Sequence, residues 1–410
     1  MAESTPPKSE VFSGLPEHYV SRPDELAAAC AHIAQFPVFG FDTEFIGEES
    51  YYPDLCLVQV ATPERLYLLD PLSVGSLKAF WELVADPQRV CVVHAAREEI
   101  RLCEHACGKP PGNLFDLQLA AGLVTPIYPL GHGALVQKVM GIQLSKGETL
   151  TEWRQRPLTR QQIFYAFDDV RYLLRIYERI VKRLDKLGRM GWAQEEFTAL
   201  TTRALQDDPT IERWRKLRGL GALDRKRLAI VQELFNWRDA EAARINRPAR
   251  VILRDDLLVD VARRNPLREK DLHVVRGLPR HELPGIMAAV ERARNLPREH
   301  WPSAIERDND PPQVTLLTNL LSVVLANICA KEQVAASLVA SNHDLKLLVR
   351  DRLDGRSITD TPVRRGWRSE YLLPKLQAVL DGRTQLRVTT LKSEAPLELV
   401  DNSAADAHNR

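Results

Sequence analysis

Cysteine and methionine are scarce, six and four in 410 residues. That excludes a disulfide-built scaffold, and the six thiols (Cys30, Cys56, Cys91, Cys103, Cys107, Cys329) fall mostly within apolar patterns, as buried free cysteines do. Cys103 and Cys107 stand at i,i+4, but no second Cys/His pair with zinc spacing accompanies them, which argues against zinc. No apolar run reads as a membrane span. The opening MAESTPPKSE has neither an apolar signal core nor an Arg-rich transit pattern, so the expectation is a cytoplasmic protein with no membrane partner. Gly131-His132-Gly133 and Lys146-Gly147 lack the surroundings of a nucleotide-binding motif and read as loops at helix ends. A net charge of +1 names no partner by itself.

What is present is enough apolar residue, 44%, for more than one core, and an alternation of strands and helices up to about Leu187. Cys56–Ala61 and Leu66–Leu69 read as hairpin-like strands, so the first domain is α/β with a mixed sheet. Pro37 to Phe45 (PVFGFDTEF) reads as a buried strand, on which alternation points Asp42 and Glu44 to one face. Two carboxylates in an apolar strand resist burial unless a cation compensates them or one takes a proton. The segment Arg89–His94 reads as a second buried strand, followed by a helix with Glu99 inward and Glu98 outward.

From Thr159 a capping box with Gln162 opens a pattern of apolar residues at helical spacing, Ile163, Phe167, Val170, Leu174, Tyr177, Val181 and Leu184. The expectation is one long amphipathic helix to about Leu187. Tyr165 and Asp169 lie one turn apart on the border of its apolar stripe, and Asp168 projects almost opposite it.

These segments, with YYPDLCLVQVAT, VVHAAREEI, NLFDLQLAAGL and WRQRPLTRQQIFYAFDDVRYLL, resemble the bacterial ribonuclease D family of the DEDD superfamily. The resemblance implies a ribonuclease H-like α/β exonuclease domain and a metal-dependent 3′→5′ exoribonuclease releasing 5′-mononucleotides. Carried over by position, Asp42, Glu44, Glu99 and Asp169 bind two Mg²⁺ or Mn²⁺ ions, and Tyr165 orients the attacking water, as in the tyrosine subclass. One departure stands out: the family usually has Asp where this chain has Glu99, one methylene longer. Asp116 is a further inward acid, read first as a helix cap and second as a ligand. Lys146 lies where it could approach a phosphate; Trp153, Arg154 and Arg156 precede the site helix and could face substrate, although packing is the favoured role for Trp153.

Beyond Leu187 the strand signal fades. Helices are expected at Leu228–Ala243, Asp255–Arg264, Glu269–Val275 and Gly285–Asn295, in a stretch that resembles the HRDC domain. A charged, Pro-rich linker, Asn295–Pro312, leads to SLVASNHDLKLLVRDRL and RRGWRSEYLLPKLQAVLDG, which look like the second, diverged helical domain of ribonuclease D. The expected organisation is a disordered tail (1–14), an exonuclease domain (15–205), two small all-α domains (206–300 and 301–390) and a disordered acidic tail (391–410). Residues 211–300 hold 21 Lys and Arg against 13 Asp and Glu, while the rest of the chain is net acidic. Arg213, Arg215, Lys216, Arg218, Arg225, Lys226, Arg227, Arg263 and Arg264 therefore read as a phosphate-tracking surface. The implied partner is RNA with a free 3′ end, transfer RNA precursors foremost, bound by a monomer. Two other readings stay open: an RNA-binding protein with a degenerate nuclease site, made conceivable by Glu99, and a 3′→5′ DNA exonuclease.

Overall fold

The computed structural model describes residues 14–144, 152–205, 213–305, 310–355 and 360–402. Six strands form one mixed sheet: β1 (Glu17–Val20), β2 (Val38–Ile46), β3 (Asp54–Ala61), β4 (Leu66–Leu69), β5 (Val90–Val93) and β6 (Leu114–Asp116), in the order β1-β4-β3-β2-β5-β6. The hairpin strands β3 and β4 are antiparallel, β3 runs antiparallel to β2, and β2, β5 and β6 are parallel. β2 is thus a central strand, paired on both sides, which is why its acids are drawn into the protein. Helices cover both faces, as a sheet with two apolar sides requires. On one face Phe39, Phe41, Phe80, Trp81, Ile100 and Cys103 share a core; on the other, Leu57, Phe115, Phe167, Val170, Leu173 and Ile176 share a second.

The helix expected to run unbroken from Thr159 is two helices, Arg160–Arg171 and Leu173–Leu187, that meet at Tyr172 (φ −107°, ψ −7°). The apolar spacing continues across the break, so the sequence pattern did not mark it. Leu173 seats directly on Gly40 of β2, where a Cβ would come within 3.0 Å of the Leu173 Cβ. Only glycine permits that approach of helix to strand. The first helix then lies against β2, β3 and β4, and the second against β2 and β5.

Residues 214–293 build a separate core around Trp214, Leu228, Leu234, Leu258, Ile286 and Val290. The segment expected to be a helix over Glu269–Val275 is only a 3-10 turn, Glu269–Leu272. This helical unit docks on the loop that follows β2. Tyr51 donates to Asp239 (2.9 Å), the Tyr52 amide to Asn246 Oδ1 (2.9 Å), and Arg250 to the Glu48 carbonyl (3.1 Å).

The third segment has no core of its own; Val314, Leu321, Leu325, Leu345, Val363 and Trp367 belong to the same apolar cluster as the helices of the nuclease domain. Its long helix, Pro312–Glu332, is as long and apolar as a membrane span, with mean hydropathy 1.6. The reading that no such run exists is therefore corrected. In the structure one stripe of that helix, from Val314 to Cys329, is buried against its neighbours. Two polar braces cross the seam. Glu196, 4% exposed, accepts from Trp367 Nε1 (2.8 Å) and pairs with Arg368, whose Nε donates to the Val339 carbonyl (2.8 Å). Arg189 donates to the carbonyls of Leu123 and Glu332 (both 2.9 Å) and to Glu332 Oε2 (2.8 Å). Trp192 stacks on Trp367 with ring centroids 4.2 Å apart.

The C-terminal tail is ordered further than expected. β7 (Thr384–Val388) and β8 (Leu397–Asp401) form an antiparallel hairpin, and both groups of the Asn327 amide bond the Leu397 backbone, at 2.8 and 2.9 Å. Leu386 and Leu399 pack on the main core. Two apolar positions sufficed, too few to stand out from an acidic composition. The N-terminal tail and Lys146 lie outside the described residues.

Candidate active site

β2 carries Asp42 and Glu44, both half-buried, between the buried Phe41 and Thr43. A bulge at Glu44/Phe45 ends the regular register with β3. Asp42 Oδ1 accepts the Thr43 amide (2.9 Å), and Gln59, fully buried on β3, reaches Glu44 Oε1 at 3.5 Å. Glu99, 5% exposed in the first turn of the helix Arg97–Cys107, accepts a hydrogen bond from Thr43 Oγ1 at 2.8 Å. Glu98 is half-buried on the outer side, as expected. Asp169, 9% exposed, comes from the helix Arg160–Arg171, and Tyr165 lies one turn before it, its ring 6.2 Å from that of the buried Trp153.

The four acids act on one another. Burial first, and then the charge of Asp169, holds Asp42 well above the usual carboxylate range. Burial with Asp42 and Asp169 pushes Glu44 up to about 9, burial with Asp42 pushes Glu99 up to about 8, and burial with Asp168 pushes Asp169 up to about 7. Tyr165 is also raised, by burial and then by Asp169, Glu44 and Asp42, so its hydroxyl keeps its proton. Among the described residues no three His, Cys, Asp or Glu side chains are gathered tightly enough to cage an ion as they stand. The donor set nevertheless fits a hard divalent cation: it is all oxygen, and the charges that bear most on Asp42 and Glu44 are those of the other acids.

Asp116 has both oxygens engaged by backbone. Oδ1 caps the helix Leu117–Gly122 through the Leu119 amide (2.8 Å), and Oδ2 accepts the Ala96 amide (2.8 Å), fixing the turn that launches the Glu99 helix. It works as a cap that aims Glu99.

Asp168 departs from expectation. It is 4% exposed, not solvent-facing, and accepts from Arg171 Nε at 2.8 Å. The cause is a neighbour invisible to helical periodicity: the helix His132–Met140 packs along that side and brings in His132, which faces both aspartates. His132 Nδ1 lies 3.6 Å from Asp169 Oδ1, and its ring sits 5.6 Å from that of His94. Burial lowers His132 to about 4, so it stands neutral beside the acids. Sequence reasoning gave neither His132 nor the hydroxyl of Thr43 a role; the threonine between two acids was the available signal.

Arg154 and Arg156 do not face the acids. Arg154 pairs with Glu49 and Asp54 (both 2.8 Å). Arg156 makes a two-pronged bond to the fully buried Asp70 (2.7 and 2.8 Å) and donates to the carbonyls of Trp153 and Cys56 (both 2.7 Å).

The basic residues of the helical unit are largely engaged locally. Arg227 pairs with Asp224, and Arg263 and Arg264 with Asp260, at the i,i+3 and i,i+4 spacings that place acids beside them. Arg213 pairs with Asp239, Arg215 stacks on Trp214 and bonds Ser303, and Arg225 bonds the carbonyls of Trp301 and Pro302. Lys216 and Arg218 are exposed and Lys226 is half-buried. The excess of positive charge remains, but as a set of partly neutralised helix faces.

A mixed sheet with acids on its central strand, on a flanking helix and on a covering helix defines a 3′-5′ exonuclease domain, and residues 18–185 match the 3′-5′ exonuclease family. Residues 227–284 match the HRDC domain. The ribonuclease D of Gluconacetobacter diazotrophicus is 32% identical over 384 residues, 92% of this chain and 96% of that protein. That of Pseudomonas paraeruginosa is 32% identical over 88% of this chain and 97% of its own. The crystal structure of Escherichia coli RNase D, an exoribonuclease involved in structured RNA processing, is similar with TM-score 0.76 and 27% identity, over 90% of this chain and 99% of that one. The chain belongs to the ribonuclease D family.

Proposed function

We propose that the protein is a 3′→5′ exoribonuclease that removes 5′-mononucleotides stepwise from structured RNA, transfer RNA precursors foremost, with two divalent ions, Mg²⁺ or Mn²⁺, held by Asp42, Glu44, Glu99 and Asp169. The observation that carries this reading is the set of four mutually repelling acids, brought together from β2, the Arg97–Cys107 helix and the Arg160–Arg171 helix. When bound, the ions supply the positive charge that activates water and stabilises the attacking and leaving oxygens of an in-line displacement. Tyr165, kept as the neutral phenol, orients the water by hydrogen bonding and does not act as the base. Thr43 and Asp116 set the position of Glu99, and Gln59 that of Glu44.

The test is a 5′-labelled single-stranded RNA incubated with Mg²⁺, with Mn²⁺ or with chelator, alongside Asp42→Ala. A ladder shortening from the 3′ end, lost in chelator and in the variant, is expected. Intact RNA under both metals, with binding retained, would leave an RNA-binding protein instead. Parallel DNA strands report whether the 2′-hydroxyl is required.

Glu99→Asp is expected to keep the fold while changing the rate, and the ratio of Mg²⁺ to Mn²⁺ activity, by up to about a hundredfold, because it withdraws the carboxylate from Thr43 by roughly 1 Å. Steady-state kinetics with each metal decide it, and unchanged kinetics would remove Glu99 from the ligand set.

Ion binding should also release protons. With Glu44 near 9, Glu99 near 8 and Asp169 near 7, the ion-free folded state holds protons that the unfolded chain has lost above about pH 4. Stability of the ion-free protein therefore falls as pH rises from about 4 to 9. Divalent binding reverses the shifts, so affinity climbs with pH over the upper part of that window. Calorimetric titration of Mg²⁺ at pH 7 in buffers of different ionisation enthalpy should give different heats; identical heats would mean the acids were already ionised.

A further inference from the structure

Between the nuclease domain and the helical unit lies a cavity of about 880 Å³, within the size range of ligand sites. It adjoins the acids on two sides, since its walls include Phe45, next to Glu44, and Glu98, next to Glu99. Among its described lining residues are four rings suited to stacking: Tyr51, Tyr52, His105 and Phe235. Tyr52 is 43% exposed and stacks on His105, with ring centroids 5.1 Å apart and planes at 20°, a nearly flat platform offered by the nuclease domain.

The polar groups in the walls point to the kind of ligand. Arg213 is taken by Asp239 and Arg101 lies 3.5 Å from Glu98, so the cations are matched by acids. Two lining residues keep unmet hydrogen-bonding capacity away from solvent: Glu104, whose Oε2 is a buried acceptor without a partner, and Trp214, 2% exposed, whose Nε1–H is a buried donor without one. Leaving such groups unpaired costs roughly 1–3 kcal/mol each, more for a charge, so a ligand that satisfies them gains binding energy. A carboxylate repels phosphate. It accepts from ring N–H and amino groups, and guanine offers both, side by side on one edge.

We propose that this cavity is a nucleobase-binding subsite, selective for guanine over uracil, that holds a base of the substrate strand upstream of the nucleotide being removed. The base stacks on the Tyr52–His105 platform and donates to Glu104. This rests on the reading of the chain as an RNA exonuclease, and it adds a sequence preference that the acid cluster, which reads only a phosphodiester and its ions, does not itself impose. The consequence is uneven degradation, with the enzyme dwelling or accelerating whenever a guanine reaches one fixed distance from the 3′ end.

The experiment uses the full chain and oligouridylate strands carrying a single guanine at successive distances from the 3′ end. Equilibrium affinity is measured in Ca²⁺, and kcat and KM per step in Mg²⁺. A guanine at one distance is expected to tighten binding about fivefold to a hundredfold, the range of one stacked base. Glu104→Gln should abolish the guanine preference while leaving oligouridylate hydrolysis at the parent kcat. Tyr52→Ala should weaken binding of every strand. No dependence of affinity on guanine position in the parent protein overturns the subsite, whether or not the strand is cut. Absence of cutting alone overturns only the nuclease reading, since the Ca²⁺ affinities still report on the cavity. Guanosine 5′-monophosphate that competes fully, with no positional effect along the strand, would show a free-nucleotide site instead.

Discussion

Asp169→Asn should lower hydrolysis of RNA at least a hundredfold and, in chelator, leave the protein as stable as its parent or more so. The first effect is the loss of a charged oxygen at a site whose work is electrostatic, where removing a single stabilising group already costs about 10²–10³ in rate. The second follows from the same charge in the opposite sense. Asp169 is 9% exposed, raises Asp42 and Glu44 through its field, and lies beside a neutral His132 that gives it no compensating charge. An isosteric amide relieves that repulsion. Thermal melting of parent and variant, with and without Mg²⁺, separates the two effects: the parent gains more from the ion than the variant does. A variant with undiminished activity in a clean preparation would remove Asp169 from the site, and one that melts well below its parent in chelator would mean the carboxylate was a structural partner.

Arg156→Met is expected to destabilise the fold by about 3 kcal/mol or more, the cost of stranding a buried charge. Asp70 is 0% exposed, and its strongest partner is the guanidinium of Arg156, which also ties down two carbonyls. Tyr19 and Ser73 keep bonds to Asp70 (2.5 and 2.9 Å), which places the loss at the lower end of the range for broken buried pairs. Denaturant midpoints measure it. The companion double variant Arg156→Met with Asp70→Leu should recover part of the loss, since an apolar pair strands no charge. If Arg156→Met instead melted with its parent and lost RNA affinity, Arg156 would be a substrate contact.

The acid positions on β2 were legible in the sequence because alternation in a strand is rigid: once Phe39, Phe41 and Phe45 are on one face, Asp42 and Glu44 are on the other. The fold class followed from the same periodicities and from the segments that resemble the family. Local periodicity could not show what depends on a distant neighbour. Asp168 is buried by a helix that starts at His132, and the break at Tyr172 is set by the seat of Leu173 on a strand far away in the chain. Arg154 and Arg156 looked like substrate contacts because their partners, Glu49, Asp54 and Asp70, are about a hundred residues distant. The basic clusters were readable as composition, whereas the acids that partly neutralise them became plain only once the helices placed them side by side.

The bond between Glu196 and Arg368 changes what counts as a part of this molecule. Reading along the chain, the nuclease is one unit followed by two accessories, and a shortened protein would naturally be cut after the first. Yet a chain ending there would keep Glu196 as an uncompensated carboxylate beneath the bare face of Trp192, with Arg189 stripped of Glu332. Energetically the last hundred residues are the nuclease's missing wall, returned after a detour. The helical unit with its own core is the insert, and it is the one piece that could be excised, its ends bridged by a linker, without opening the interior.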